Sequence, residues 1–303
     1  MKKTIIVLAL LGSWISYGQQ ESQYTQYMYN TMSVNPAYAG TRGVMSIFGL
    51  YRSQWVGLDG APKTAQLSVH SPISRQGHGL GLSVINDEIG PSRDTYVNAS
   101  FSYKLQLDPF TWLNLGIMAG GSFLEVNYDK LNVHDPDDPS LSGRLSRFSP
   151  NIGVGAYLHS DHWYVGLSVP ALLETRFYDD IQQSMAKEKM HFYLIGGYVF
   201  DLDHNWKFKP AALIKAVSGA PLAVDLSANF LYNEILTLGA AYRWDAGLSG
   251  LAGFQVNDNL MIGYAYDFDT SRLGNYNSGT HEVFIRFEFV SSGRSRMRSP
   301  RFF

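Results

Sequence analysis

Cysteine is absent from the 303 residues, which removes disulfide scaffolds, zinc ribbons, thiolate catalysis and an N-terminal lipoprotein anchor together. Charge is scarce and balanced: 24 Lys plus Arg stand against 26 Asp plus Glu, for a net charge of −2. A general nucleic-acid binder would carry a strong basic excess, so nucleic acid is not an expected partner. Long apolar runs are also missing, since no window of the mature chain offers the roughly 18 to 20 apolar residues that a helical span needs. Mean hydropathy is only −0.12. What remains is 17% charged residues, below the globular average of about 25%, with 14% aromatics and 29 glycines. Few charges and many aromatics without overall hydrophobicity is the balance expected of strands in which apolar and polar residues alternate.

The first residues read as a targeting segment. Lys2 and Lys3 precede an apolar run from Ile5 to Leu11, and Ser16-Tyr17-Gly18 places small residues at the −3 and −1 positions of a cleavage site. Residues 1–18 are therefore expected to be a secretory signal peptide, with Gln19 the mature N-terminus.

From Val44 onward the dominant period is two. Val97, Ala99, Phe101, Tyr103 and Leu105 fall on one face and Asn98, Ser100, Ser102, Lys104 and Gln106 on the other, because successive strand side chains point to opposite sides. Such a ladder suits a wall between two solvents. The pattern predicts fourteen strands, near 44–55, 63–70, 78–87, 94–106, 112–126, 148–159, 163–169, 190–200, 206–217, 222–231, 235–244, 247–256, 260–268 and 281–289. An even number of segments, most of them close to the length that crosses a bilayer at a tilt, points to an all-β fold: a transmembrane outer-membrane β-barrel of about 14 antiparallel strands in contact with outer-membrane lipid.

The connections test this independently, because such barrels have short periplasmic turns and longer extracellular loops. With both termini periplasmic, even-numbered strands end in compact turns rich in Asp, Asn or Pro, 107–110, 160–162, 201–205, 232–234 and 257–259, with the slightly longer 71–77 as the exception. Odd-numbered strands end in the longer segments 127–147, 170–189 and 269–280. Trp55, Tyr96, Trp112, Trp163, Trp206, Tyr242 and Trp244 cluster near strand ends, as interfacial aromatic belts do. Mixed-sign residues, including Lys104, Lys207, Lys209, Lys215, Asp225, Arg243, Asp267, Glu282, Arg286 and Glu288, are expected to face the lumen.

No pattern points to catalysis, a cofactor or a metal. Asp135-Pro136-Asp137-Asp138-Pro139 lacks the Gly and distal Glu of a calcium loop. His159, Asp161 and His162, and likewise Asp201, Asp203 and His204, have metal-ligand types but fall in turns, where such residues serve local hydrogen bonding. Gly77-His78-Gly79-Leu80-Gly81 enters a strand rather than a helix, so it is no phosphate loop.

Two segments fall outside the wall 44–290. Residues 19–43 are polar, aromatic and turn-rich, suited either to plug the lumen or to lie on the periplasmic rim. The tail 291–303 carries Arg294, Arg296, Arg298 and Arg301 with no acid, which suits a periplasmic docking element. Here a resemblance becomes specific. Asn35-Pro36-Ala37-Tyr38-Ala39-Gly40, Tyr51-Arg52-Ser53-Gln54-Trp55-Val56-Gly57, Gly60-Ala61-Pro62-Lys63-Thr64, His70-Ser71-Pro72-Ile73, Gly79-Leu80-Gly81-Leu82, Asn86-Asp87 with Ile89-Gly90-Pro91, and Ser299-Pro300-Arg301-Phe302-Phe303 resemble the PorP/SprF family. The likeness covers the mature chain end to end and is densest over its first 75 residues, although the chain ends in Phe-Phe where Tyr-Phe is expected.

The resemblance implies a non-enzymatic outer-membrane component of the Bacteroidetes type IX secretion and gliding machinery. Its implied partners are cargo adhesins with a type B C-terminal domain and, for one branch, a periplasmic peptidoglycan-binding protein. Asn35, Pro36, Tyr38, Gly40, Arg52, Trp55, Arg298, Pro300, Arg301, Phe302 and Phe303 are the residues expected to bind partners. A porin-like channel for small solutes is the alternative.

Overall fold

The computed structural model describes residues 27–74, 76–130, 143–173, 190–244 and 246–289. They form a closed barrel of 14 antiparallel strands: β1 Met45–Ser53, β2 Lys63–Pro72, β3 Gly79–Ile89, β4 Ser92–Asp108, β5 Thr111–Asn127, β6 Arg144–His159, β7 Trp163–Val169, β8 His191–Tyr198, β9 Trp206–Val217, β10 Ala223–Tyr232, β11 Leu236–Arg243, β12 Gly247–Gln255, β13 Leu260–Asp269 and β14 Thr280–Phe289. Each strand pairs with its neighbour in sequence, and the sheet closes where β1 meets β14 from Met45↔Phe289 to Ser53↔His281.

β8 resumes as Phe200–Asp201 after a break at Val199. The break has a chemical cause. Register runs unshifted from Ala211↔Gly197 to Phe208↔Phe200, which sets Pro210 opposite Tyr198, and proline has no N–H to give to the ladder.

The predicted alternation is realised as two faces. Leu80, Leu82 and Val84 on β3, Leu115 and Ile117 on β5, and Val283 and Ile285 on β14 are exposed on the outside. Ser100, Ser102, Asn114, Asn229 and Glu282 are buried on the inside. An apolar outer wall suits lipid outside, and the interior mixes these polar groups with a buried cluster that includes Phe48, Leu50, Tyr157, Ile195 and Phe284.

Short turns gather at one end of the barrel, at 73–78, 109–110, 160–162, 202–205, 233–235 and 256–259. Asn233 and Glu234 both have left-handed φ, 50° and 57°, as the tight hairpin turn there requires. The connections 54–62, 218–222 and 270–279 lie at the other end, where β5 ends and β6 begins, β7 ends and β8 begins, and β11 ends and β12 begins.

That loop end also holds one connection tighter than expected. β3 and β4 continue to Ile89 and Ser92, leaving only Gly90-Pro91 between them, because Gly90 takes φ 56° at no steric cost. β6 likewise starts at Arg144 rather than near residue 148, pairing with Asn127.

Candidate functional site

The interior is built around residues 27–43, which run into β1. Two short 3-10 turns, Thr31–Ser33 and Pro36–Tyr38, shape this segment. Asn35 caps the second: its side-chain oxygen accepts from Ala37 N at 3.0 Å, and Pro36 occupies the first position, where no N–H is needed. The Asn35 amide nitrogen then donates to Ala156 O on β6 at 3.0 Å and approaches Leu167 O on β7 at 3.5 Å. One fully buried amide thus satisfies its own turn and ties it to the wall.

The wall is shaped to receive the segment. A Cβ at Gly116 would overlap Ala37 N, one at Gly79 would overlap Ala39 O, and one at Gly155 would overlap Asn35 Oδ1. At Gly166 it would lie 2.9 Å from Asn35 Nδ2. Ser102 Oγ donates to Ala39 O at 2.6 Å and Ser168 Oγ to Val34 O at 2.7 Å. Gly40, at φ 74°, donates its N–H to His70 Nδ1 at 3.2 Å. Tyr38 meets His70 and Tyr157 edge-on, at ring-centroid distances of 5.7 and 5.6 Å.

The opposite wall holds the other end of the segment. Asn229 Nδ2 on β10 lies 3.3 Å from Met28 Sδ, and the Tyr29 ring is 4.6 Å from Phe284 on β14. Tyr27 lines a small cavity with Asp225, Ser227, Ala241, Arg243 and Ser249. Burial, reinforced by the Asp225 carboxylate, pushes the Tyr27 hydroxyl well above its ordinary pKa. Burial likewise pushes Tyr29 up to about 12.

Three arginines inside are paired with acids. Arg42, at the entry to β1, binds Glu288 on β14. Burial opposes the Arg42 charge, but Glu288 and Tyr38 outweigh it and hold the guanidinium above its usual range. Arg52 Nη1 lies 2.8 Å from both Asp267 Oδ2 and Glu282 Oε2, and Arg243 Nε lies 2.8 Å from Asp225 Oδ1.

The residues expected from the sequence to bind partners divide into three groups. Asn35, Pro36, Tyr38 and Gly40 come together in the interior, buried against the wall, and Arg52 is buried on the inner face of β1. Trp55 is apart from them at the loop end, in a left-handed conformation with φ 49°, its N–H donating to Thr280 Oγ1 at 3.2 Å. Arg298, Pro300, Arg301, Phe302 and Phe303 lie outside the described residues, as does Asp135-Pro136-Asp137-Asp138-Pro139.

His159 is buried with Nε2 3.1 Å from Asn114 Oδ1, whereas Asp161 and His162 are exposed in the next turn. Among the described residues no three His, Asp or Glu side chains converge as a metal site would. Sequence reasoning overlooked the partners that hold the segment: His70, Ser102, Ser168, Asn229 and the inner glycines. Their signal is the run of small and polar residues on the inward parity of β2 to β5, β7 and β10.

A closed antiparallel barrel with an apolar exterior and buried polar groups on its inner face defines an outer-membrane β-barrel protein. No helix among the described residues is long and apolar enough to cross a membrane. The chain belongs to the PorP/SprF family: the model for the type IX secretion system membrane protein PorP/SprF matches residues 16–287.

Among solved structures it is similar to the Acinetobacter baumannii outer membrane protein Omp33, with a TM-score of 0.50 and 10% identity over 81% of this chain and 98% of that one. It is also similar to the Ralstonia pickettii toluene transporter TbuX, with a TM-score of 0.50 and 9% identity over 85% of this chain and 92% of that one. At such identity the likeness is one of fold. No curated protein matches the chain.

Proposed function

We propose that this chain is a non-enzymatic outer-membrane component of the type IX secretion and gliding machinery that supports secretion and surface attachment of adhesins bearing a type B C-terminal domain. Family membership over residues 16–287 is the observation that carries this reading. In it the short turns and both termini face the periplasm, following the general asymmetry of such barrels, and the loop end faces cargo. Residues 27–43 act as a plug. Their contacts with β2 to β7 on one side and with β10 and β14 on the other support a lumen closed to solutes.

Affinity purification of the tagged protein from detergent-solubilised outer membranes of its native host, followed by mass spectrometry, tests the proposal. Recovery of a large adhesin with a type B C-terminal domain is expected, and a peptidoglycan-binding protein would indicate a place in the core apparatus. A barrel that comes down alone under crosslinking, with stepwise conductance in planar bilayers, would replace this reading with a porin-like channel.

A further inference from the structure

The turn end of the barrel carries an arc of acid and exposed apolar residues that begins where β14 ends. The turn 256–259 lies directly against that strand end: Glu288 N donates to Asn259 O at 2.8 Å, and Asn259 Nδ2 donates to Glu288 O at 2.7 Å. From there the arc passes through four successive turns. Each presents an exposed carboxylate, Asp258, Glu234, Asp203 and then Asp161. Three of the four also expose an aliphatic side chain, Val256, Ile235 and Leu202, each 46% exposed or more.

Val256 and Leu202 continue the exposed, outward parity of Phe254 and Phe200, so apolar surface runs up to the acids of the rim. The lysine in this arc, Lys207, is drawn to acids already there, 3.5 Å from Asp201 and 3.8 Å from Glu234. The other side of the rim differs in charge and not in apolar exposure: the turn 73–78 contains Arg75 and no acid and the next turn has the single acid Asp108, while Ile73 and Phe110 are exposed there.

The segment that leaves the barrel at this point is complementary to the arc. Residues 291–303 carry Arg294, Arg296, Arg298 and Arg301, no acid, and the pair Phe302-Phe303. Thirteen extended residues reach roughly 40 Å. Successive turns are two strands apart, so the four turns span six strands, roughly 29 Å. The segment is long enough to cross all of them.

We propose that residues 291–303 dock along the turn-end rim from turn 256–259 towards turn 160–162, their arginines against Asp258, Glu234, Asp203 and Asp161 and their phenylalanines among Val256, Ile235 and Leu202. A protein that binds this rim must displace the tail or bind on top of it. The docking requires only the barrel, so it stands or falls separately from the secretion reading.

The absence of cysteine makes the test direct. In the full-length barrel, purified in zwitterionic detergent, Ser299→Cys is combined with Asn205→Cys on the arc or with Phe110→Cys on the opposite rim; both turn positions are exposed. Crosslinking to position 205 is expected to be at least about threefold faster than to position 110. The bias should disappear in about 0.5 M salt, where surface charges are screened, and in the triple variant Asp161→Asn, Glu234→Gln, Asp258→Asn. That triple variant spares Asp203, whose carboxylate accepts from Asn205 N and Trp206 N within its own turn. Equal rates to both turns, or indifference to the triple substitution, would overturn the proposal. So would a bias that appears only after reconstitution with anionic phospholipid, which would assign the arginines to headgroups.

Discussion

Arg52 and Glu282 face each other across the seam where the first and last strands close the barrel, as register partners with Nη1 2.8 Å from Oε2 and both side chains buried. Asp267 on β13 shares the same guanidinium at 2.8 Å. Removing the cation leaves the buried Glu282 and the half-buried Asp267 without it, and breaking a buried pair from one side costs about 3 to 5 kcal/mol. Arg52→Met should therefore lower the unfolding midpoint in detergent, read as the heat-dependent gel shift of folded to unfolded barrel. Glu282→Gln, which leaves Asp267 as partner, should lower it less.

The inner glycines make a second test. Gly116→Ala places a methyl group where Ala37 N now sits, whereas a Cβ at Gly250 on the outer wall meets nothing within 4 Å. The first substitution is expected to raise hydrogen exchange across residues 27–43, and Gly250→Ala to leave it unchanged. Equal exchange in both variants would show that the segment does not depend on that close approach.

Asn35→Ala removes the cap on Ala37 N and the donor to Ala156 O together. Leaving buried partners unsatisfied costs about 1 to 3 kcal/mol, so a fall of that size in urea stability is expected. Pro36→Ala at the neighbouring position disturbs no hydrogen-bond donor and should cost less.

Alkaline titration separates the buried tyrosines. An unfolded tyrosine ionises near pH 10, while Tyr29 in the folded barrel holds its proton to about 12. The unfolded state binds fewer protons between those values, so stability is level below about pH 10 and falls as pH rises towards 12. Tyr29→Phe should reduce that slope, measured by urea unfolding at successive pH values.

Strands and their order were legible in the sequence because alternation is a local consequence of strand geometry: each residue meets one of two environments, and its neighbour meets the other. The expected strand near 94–106 stopped short of the observed Ser92–Asp108 for the same reason. Near Asp87, Glu88, Arg93 and Asp94 polar residues occupy both faces, so the period fades although the pairing continues through Asp87↔Asp94 and Glu88↔Arg93. Aperiodic motifs such as Asn35-Pro36-Ala37-Tyr38-Ala39-Gly40 marked the family without saying what those residues touch.

The sequence by itself determined a wall of alternating strands between two solvents and the sorting of its longest connections to one end, since both follow from residues close together in the chain. The tertiary structure decided that Asn35 lies between Gly155 and Gly166, that Gly40 meets His70, and that Arg42 and Arg52 find acids on β14. These contacts join residues far apart in sequence, which closing the sheet brings together around one interior. No period within a single strand records that closure, and the packing inside the barrel depends on all the strands at once.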